Sequence, residues 1–491
     1  MIRGIERQPT RGPVAAWACF ALASAGAAVL IVRKPDTHLA LPLGVAVCLA
    51  GMAATGHRVL FAWRTMLGSI VLVLLFVPIR QYQLPSALPF NVELYRLLLF
   101  AAVMLWLSAL LMDPRVRLAR SALDPALGTL ILVYLASIVA SGNRLDQPGL
   151  GSAAIKAFTL FLSMIALYYM IVSLTRTLED VEGLVRILAG GGAVVAFFSI
   201  VEARTHFNIF HHLDRVLPFL RSAGGPSSAD LQRGGHLRVL ASAEHPIALS
   251  ALLVILIPLA AYLAERTGAR RWWIATALLI GGALGTLART GVIMFLVLVL
   301  VYFWLRPQEM RNLAKRGWKF AIPLLIAVHF VMPGTLGTIH DLFFGQGGVI
   351  QQQSGGGVGS GRLASFWPGV HVVARHPILG LGYGTRIVGN DPHANSFIVD
   401  DGWLSTAMEA GLAAVLAWLW IFFRFVRRVG LGARRDSSPR GRLLGAFTAS
   451  TASFAIGMAT YDALSFLQVT FVLFILLALG SATLNTKTPA I

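Results

Sequence analysis

The hydrophobic positions of this chain fall into long apolar runs that are separated by short polar segments. Runs of about 20 apolar residues can cross about 30 Å of hydrocarbon as helices, and helices satisfy all their own backbone hydrogen bonds in lipid. The pattern therefore predicts an all-α, polytopic membrane helix bundle of about 12–14 transmembrane helices. The runs lie near residues 14–32, 39–56, 65–79, 92–112, 123–141, 153–174, 183–201, 245–264, 272–287, 291–305, 320–336, 403–423, 443–461 and 464–484.

Composition agrees with a single integral membrane domain over residues 1–491, because 56% of the residues are hydrophobic and only 13% are charged. An ordinary soluble domain carries about a quarter charged residues. The formal net charge of +19 does not predict a nucleic-acid partner, because membrane proteins keep Lys and Arg in their cytoplasmic loops. Cys19 and Cys48 both lie in apolar runs, so we expect no disulfide and no cysteine metal site.

The Lys and Arg residues predict the orientation of the bundle. They cluster in alternate loops, near residues 115–120, 266–271, 306–319 and 424–442, which we interpret as cytoplasmic together with both termini. Arg33 and Lys34 are exceptions to this alternation, because the order places their loop outside.

This order predicts that two long loops, at 202–244 and 337–402, lie on the outer face together with the turn Thr286–Arg289. Long loops in a compact bundle are usually functional or disordered. The second loop contains a Gly- and Gln-rich tract and an amphipathic helix predicted from Arg362 to about Arg375. The segment 361–404 is polar, rich in glycine and rich in His and Arg, and we expect the chemistry there.

Three arginines are candidates for binding an anion. Arg289 lies in the turn between two apolar runs, Arg362 begins the amphipathic helix, and Arg238 precedes another run. A guanidinium at the membrane boundary can bind phosphate oxygens through two parallel hydrogen bonds. The alternatives are that Arg289 is a snorkelling anchor and that the helix of Arg362 lies on anionic lipid.

A second group of candidates follows in the segment NDPHANSFIVDDGWL. A neutral His393 could take a proton from a sugar hydroxyl, whereas an Arg could not. Asn395 and Ser396 could bind a sugar or a phosphate by hydrogen bonds. Asp400 or Asp401 could either orient the imidazole or cap the helix that begins near residue 403.

The sequence contains no P-loop and no HExxH, GxSxG, CxxC or DxD-like motif. We therefore expect no cofactor and no metal site, and we expect two or three outward-facing cations to bind a lipid diphosphate in place of a metal.

The order of three motifs resembles the O-antigen ligase and Wzy-type polysaccharide polymerase superfamily. These motifs are LARTG, RLASFW followed by ARHPILGLGYG, and PHANSF followed by DDGWLSTAMEAGL, within about residues 230–425. The segment LRVLASAEHPIALSALLVILIPLA is similar to the same family. Its members are inner-membrane, metal-independent GT-C-like glycosyltransferases.

The resemblance implies that Arg289 and Arg362 bind the diphosphate of an undecaprenyl-linked glycan donor and that His393 acts on the acceptor hydroxyl. Arg238 matches the family less closely. It also implies an active site on the periplasmic face, contacts with membrane lipids and an acceptor that is a glycan or lipid A core. Ala288 stands where a Ser is common in the family, and VDDGWL is more similar to exopolysaccharide polymerases than to lipid A ligases, so the acceptor stays open.

Three other hypotheses compete with a polymerase. An O-antigen ligase would transfer the glycan to lipid A core. A transporter or flippase would concentrate ionisable residues within broken spans, whereas this chain has few there: Lys156, Arg186 and Glu409. A different GT-C enzyme would use Asp36 of the first outer loop.

Overall fold

A computed structural model of the protein describes residues 63–84, 93–112, 116–223, 232–233, 236–331, 337, 340, 362–386 and 399–486. These residues form an all-α polytopic helix bundle. Its longer helices are α1 (Trp63–Phe76), α2 (Leu94–Met112), α3 (Asp124–Ala140), α4 (Leu150–Leu174), α5 (Leu178–Thr205), α6 (Pro246–Thr267), α7 (Arg270–Gly285), α8 (Arg289–Leu305), α9 (Pro307–Val331), α10 (Arg362–Arg375), α11 (Gly402–Arg435), α12 (Pro439–Gly457) and α13 (Leu467–Asn485).

Each predicted span from 65–79 onward overlaps one of these helices, and the two earlier spans lie outside the described residues. By length and composition, six helices of the described part can cross a membrane: α2, α4, α5, α6, α11 and α13. Helices α1, α3 and α8 are apolar but shorter. The protein is therefore a multi-pass membrane protein, with fewer full-length apolar helices in this part than the apolar runs predicted.

Helix α12 shows why a helix inside the bundle need not be strongly apolar. It is rich in Ser, Thr, Ala and Gly and is buried along most of its length. Ser450 donates a hydrogen bond to the carbonyl of Ile255 at 2.7 Å, and Ser453 donates one to the carbonyl of Met294 at 2.7 Å. Small residues allow such close approach between membrane helices. Helix α12 thereby joins α6 and α8 in the centre of the bundle.

The helices define two ends of the bundle. At the basic end, which carries residues 175–177, 268–269 and 436–438, Arg306 donates to the carbonyl of Ala433 at 2.8 Å. Asn485 donates to the carbonyl of Arg120 at 2.9 Å at this same end. The predicted Arg-rich loops that lie in the described part therefore share one end of the bundle. The occurrence of basic clusters in alternate loops requires this arrangement.

The opposite end, the loop end, carries residues 206–223, 238–245 and 376–386. Two short strands join its loops, because β1 (Tyr82–Gln83) pairs antiparallel with β2 (Arg221–Ser222). A second pair, β3 (Gln232–Arg233) and β4 (His236–Leu237), lies in the long loop before α6. The loop predicted at 202–244 is thus partly ordered into short elements.

The amphipathic helix predicted from Arg362 to about Arg375 is confirmed as α10. It packs on α11, where Gly369 faces Leu404 and Met408 so closely that a Cβ on Gly369 would lie 2.8 Å from Leu404 Cδ2. Phe366 and Trp367 are exposed on the same helix. Helix α10 therefore covers the first part of α11 and leaves an aromatic face uncovered.

Candidate functional site

Two of the predicted arginines, Arg238 and Arg289, lie at the turn between α7 and α8. Arg289 is the first residue of α8 and is buried, and Arg238 is buried as well. Arg238 Nε donates to the carbonyl of Thr286 at 3.2 Å, within that turn. Leu287 takes a left-handed conformation (φ 52°), which is unusual for a branched side chain and marks a tight turn. Positive charge is thus concentrated at the N-terminus of α8, where the helix dipole is also positive.

The loop that carries Arg238 is held by a buried carboxylate. Glu202, in the last turn of α5, accepts hydrogen bonds from the backbone N–H groups of Ala241 at 2.7 Å and Leu240 at 3.3 Å. It also accepts one from Asn208 Nδ2 at 3.2 Å. A buried carboxylate with several donors is a rigid anchor. Glu202 therefore positions the backbone next to Arg238, a role that the sequence did not reveal.

The other predicted site residues lie in the segment 361–404. Arg362 begins α10, and its side chain is outside the described atoms, whereas His393, Asn395 and Ser396 are outside the described residues. Asp401 is the N-cap of α11, because its Oδ1 accepts from the N–H groups of Trp403 at 2.9 Å and Leu404 at 3.0 Å. Of the two predicted roles for the aspartates, Asp401 thus has the capping role. Asp400 is partly buried beside it and interacts electrostatically with Asp462.

A cavity of about 1110 Å³ opens at the loop end between α3, α4, α11 and α13. Its lining combines charged side chains with aromatic rings. The charged residues are Arg80, Glu93, Arg96, Lys156, Arg386, Glu409 and Asp462. Neither Arg238 nor Arg289 is among the described residues that line this cavity.

The shape of the cavity depends on a break in α11. The helix is interrupted at Ala410 and Gly411, and Gly411 has φ +74°. The sequence predicted an unbroken span over 403–423. A Cβ on Gly411 would lie 2.0 Å from the carbonyl oxygen of Ile378, so only glycine fits this approach.

The glycine-rich loop 376–386 fills this break. The backbone N–H of Leu412 donates to the carbonyl of Pro377 at 2.8 Å, and those of Leu381 and Gly382 donate to the carbonyls of Met408 and Glu409, each at 2.9 Å. Gly380, Gly382 and Gly384 all have positive φ. Irregular backbone within a membrane protein is tolerated when the protein satisfies its hydrogen bonds, and here the loop and the broken helix satisfy each other's backbone groups. The motif GLGYG is therefore the sequence signal of a loop that inserts into a broken helix.

One wall of the cavity is a chain of polar contacts. Arg386 Nη1 donates to Ser405 Oγ at 2.8 Å. Ser405 and Ser465 donate in turn to Asp462 Oδ2, at 3.2 Å and 2.6 Å. Burial raises the pKa of Asp462 above its ordinary value, and these hydroxyls and Arg386 oppose that rise.

The rim is built from paired charges on three segments. Arg96 Nη2 forms an ion pair with Glu93 Oε1 at 2.8 Å, and the backbone N–H of Arg80 donates to Glu93 Oε2 at 2.9 Å. The side chain of Arg80 approaches Glu244 Oε1 at 3.4 Å. Glu244 accepts from the N–H of Leu467 at 2.8 Å, and burial raises its pKa to about 7. The rim thus joins the segment 238–245 to the start of α13.

Aromatic rings form the inner surface of the cavity. Tyr383 stacks on Tyr134 with ring centroids 3.8 Å apart, and Phe161 meets Tyr134 edge to face at 4.8 Å. Trp418 Nε1 donates to the hydroxyl of Tyr134 at 2.8 Å, which fixes that ring. A rigid aromatic surface next to charged groups is suited to a ligand with both apolar faces and hydroxyls.

The sequence analysis missed most of this cavity. Arg386 lies two residues after the glycine motif and was not selected, and neither were Arg80, Arg96 and Asp462. Lys156 and Glu409 were noted only as charges within spans. In the sequence, these cavity residues share only one feature, which is a charge within or next to an apolar run. This feature does not show that the fold brings the residues together.

No group of three or more His, Cys, Asp or Glu residues in the described part is arranged to hold a metal ion. No protein-family model matches the chain, and neither does any curated protein. The resemblance to O-antigen ligases and Wzy-type polymerases therefore rests on the motifs alone.

Proposed function

We propose that this protein is a membrane glycosyltransferase of the Wzy type. It transfers an undecaprenyl-diphosphate-linked glycan to a sugar hydroxyl, with inversion and without a metal. The observation that carries the proposal is the cavity at the loop end, whose cations, carboxylates and aromatic rings suit a phosphorylated glycan. The motif resemblance supports the same reaction.

The donor diphosphate is assigned to the arginines at the boundary of the bundle. Arg289 and Arg238 concentrate positive charge at the α7–α8 turn, and Arg362 begins the helix that covers α11. The diphosphate is already a good leaving group, so stabilising its charge and deprotonating the acceptor are sufficient for transfer. No covalent intermediate is needed.

The acceptor glycan is assigned to the cavity. The segment from Arg238 to Glu244 connects the turn with the cavity rim, since Arg238 contacts Thr286 and Glu244 contacts Arg80. Six residue steps cover at most about 22 Å. The turn and the cavity are therefore parts of one continuous surface, on which the donor diphosphate and the acceptor hydroxyl can meet.

The orientation in the membrane follows from the positive charges. The loops at the basic end carry the Arg-rich segments, so this end is assigned to the cytoplasm and the loop end to the periplasm of a bacterial inner membrane. Lipid-linked glycans would then be used after they have reached the outer side.

The test is to incubate the purified protein with a short undecaprenyl-diphosphate oligosaccharide alone and separate the products by size. A ladder of longer glycans supports a polymerase. If no product forms until lipid A core is added, the protein is an O-antigen ligase, which uses the alternative acceptor. No product with either acceptor overturns the transferase proposal.

A transporter or flippase of lipid-linked glycans is the second candidate, and the break of α11 beside Glu409 favours it. Broken helices next to ionisable residues are common in transporters. The distinguishing measurement uses proteoliposomes with a labelled lipid-linked oligosaccharide. A transporter moves the label across the bilayer without changing its length, whereas a transferase lengthens the glycan.

A further inference from the structure

Three carboxylates among the described residues line the cavity, and they are not equivalent. Glu93 is paired with Arg96 at 2.8 Å and accepts from the N–H of Arg80 at 2.9 Å. Asp462 accepts from Ser465 at 2.6 Å and Ser405 at 3.2 Å. Both carboxylates are therefore occupied by strong donors within the protein, which makes them structural parts of the wall and rim.

The carboxylate of Glu409 has fewer hydrogen-bond donors within the protein than these two carboxylates have. Its Oε2 accepts a hydrogen bond from the N–H of Gly384 at 3.4 Å, near the long limit for such a bond. It takes part in no ion pair with any residue of the described part. A carboxylate that lines a cavity with one weak internal donor has acceptor capacity left for a ligand.

The backbone around Glu409 is held rigidly even though its carboxylate is not. The carbonyl of Glu409 accepts from the N–H of Gly382 at 2.9 Å and from Ser137 Oγ at 3.2 Å. Glu409 immediately precedes the break at Ala410 and Gly411, and the inserted loop fixes that break. The fold therefore fixes where this side chain begins, which is what a reacting group requires.

The neighbours of Glu409 are suited to a sugar. Gly384, whose N–H contacts its carboxylate, adjoins Tyr383, and that ring stacks on Tyr134 in the cavity. Arg386 interacts electrostatically with Glu409. An ionised carboxylate beside an aromatic surface can accept a hydrogen bond from a sugar hydroxyl that rests on the ring.

We infer that Glu409, rather than His393, removes the proton from the acceptor hydroxyl. This inference rests on the proposed transferase function. As the hydroxyl oxygen forms its bond to the anomeric carbon, its proton passes to the Glu409 carboxylate. The bond between the anomeric carbon and the phosphate oxygen breaks, and its electron pair leaves on undecaprenyl diphosphate. Water then takes the proton from Glu409.

The test compares Glu409→Gln with Glu265→Gln in the polymerisation assay. Glu265 lies near the basic end of α6, so its variant is a matched control that should keep the wild-type rate. Glu409→Gln keeps the size of the side chain and should lower turnover on the order of 10²- to 10⁴-fold. Binding of the labelled lipid-linked oligosaccharide should stay unchanged. The rate that remains should lack the fall at low pH that protonation of a carboxylate base produces.

Two further variants keep the outcome interpretable. Glu409→Asp retains the carboxylate but shortens it by one methylene, so it should keep more activity than Glu409→Gln at equal melting temperature. His393→Ala should retain more activity than Glu409→Gln.

Three results would overturn the inference. In the first, Glu409→Gln turns over at the wild-type rate. In the second, Glu409→Gln binds the glycan more weakly while its rate is unchanged. In the third, the pH profile of the rate changes in His393→Ala but not in Glu409→Gln. An inactive wild-type protein would instead contradict the proposed function itself.

Discussion

Arg238 donates a hydrogen bond from Nε to the carbonyl of Thr286 at 3.2 Å, although 48 positions separate the two residues. This contact places a buried guanidinium on the turn that leads into α8 and Arg289. Two arginines that are far apart in sequence thus share one boundary of the bundle, where a diphosphate headgroup would lie.

Replacing Arg289 or Arg238 by Lys should weaken donor binding and lower the rate together. Lys keeps the charge but loses the planar fork that binds two phosphate oxygens at once. A lost charge-assisted hydrogen bond costs about 1.5–3 kcal/mol, so we expect a loss of about 10- to 150-fold in affinity. Labelled donor binding and initial rates measure this. Arg271→Lys, near the basic end, is the control, and equal effects in all three variants would contradict the assignment.

Chelators should leave the transfer activity intact. The proposed site uses guanidinium groups in place of a metal ion to stabilise the diphosphate. Activity is measured in EDTA and again after addition of Mg²⁺ or Mn²⁺. A strict requirement for either ion would contradict this prediction and direct attention to Asp36, Asp400 and Asp401 as metal ligands.

Glu244 should make stability depend on pH. Its pKa is raised by burial to about 7, while Arg80 and the N–H of Leu467 oppose the rise and Glu93 adds to it. The folded protein therefore holds a proton that the unfolded chain loses near pH 4.5, so stability falls as pH rises from about 4.5 to about 7. The change is of the order of 3 kcal/mol.

Melting temperatures of the wild type and of Glu244→Gln across this range measure the effect. The variant has no proton to lose at this position, so its melting temperature should vary less with pH. Parallel curves for the two proteins would show that Glu244 does not titrate in the native state.

Gly411→Ala should destabilise the protein strongly, by roughly 3 kcal/mol or more. The position has φ +74°, and a Cβ would lie 2.0 Å from a backbone oxygen of the inserted loop, which cannot move aside easily. Gly128→Ala is the matched control, because a Cβ there meets nothing within 4 Å and alanine favours a helix. Thermal melting compares the two. Similar melting temperatures would mean that the loop does not occupy the break in solution.

Hydropathy predicted the helices because each apolar run is a local property of the sequence. Helix α10 was predicted for the same reason, since its amphipathic pattern lies within a few turns. The cavity could not be predicted in this way, because Arg80, Lys156 and Asp462 come from segments far apart in the chain. Only helix packing brings them together.

The break in α11 was missed although its signal was present. The segment EAGL reads as apolar helix by composition, and Gly411 alone does not distinguish a tolerated helical glycine from one with positive φ. The partner that requires glycine is Ile378, more than 30 positions earlier. Local propensity does not include such a contact.

The inserted loop also changes what amide hydrogen exchange would report in this helix. Leu412 and Ala413 lie within α11, yet their N–H groups donate to the carbonyls of Pro377 and Ile378 rather than to the preceding helical turn. Exchange at these two amides is therefore controlled by detachment of the loop, not by fraying of the helix. Their protection relative to neighbouring amides would measure directly how firmly the loop closes the break beneath the cavity.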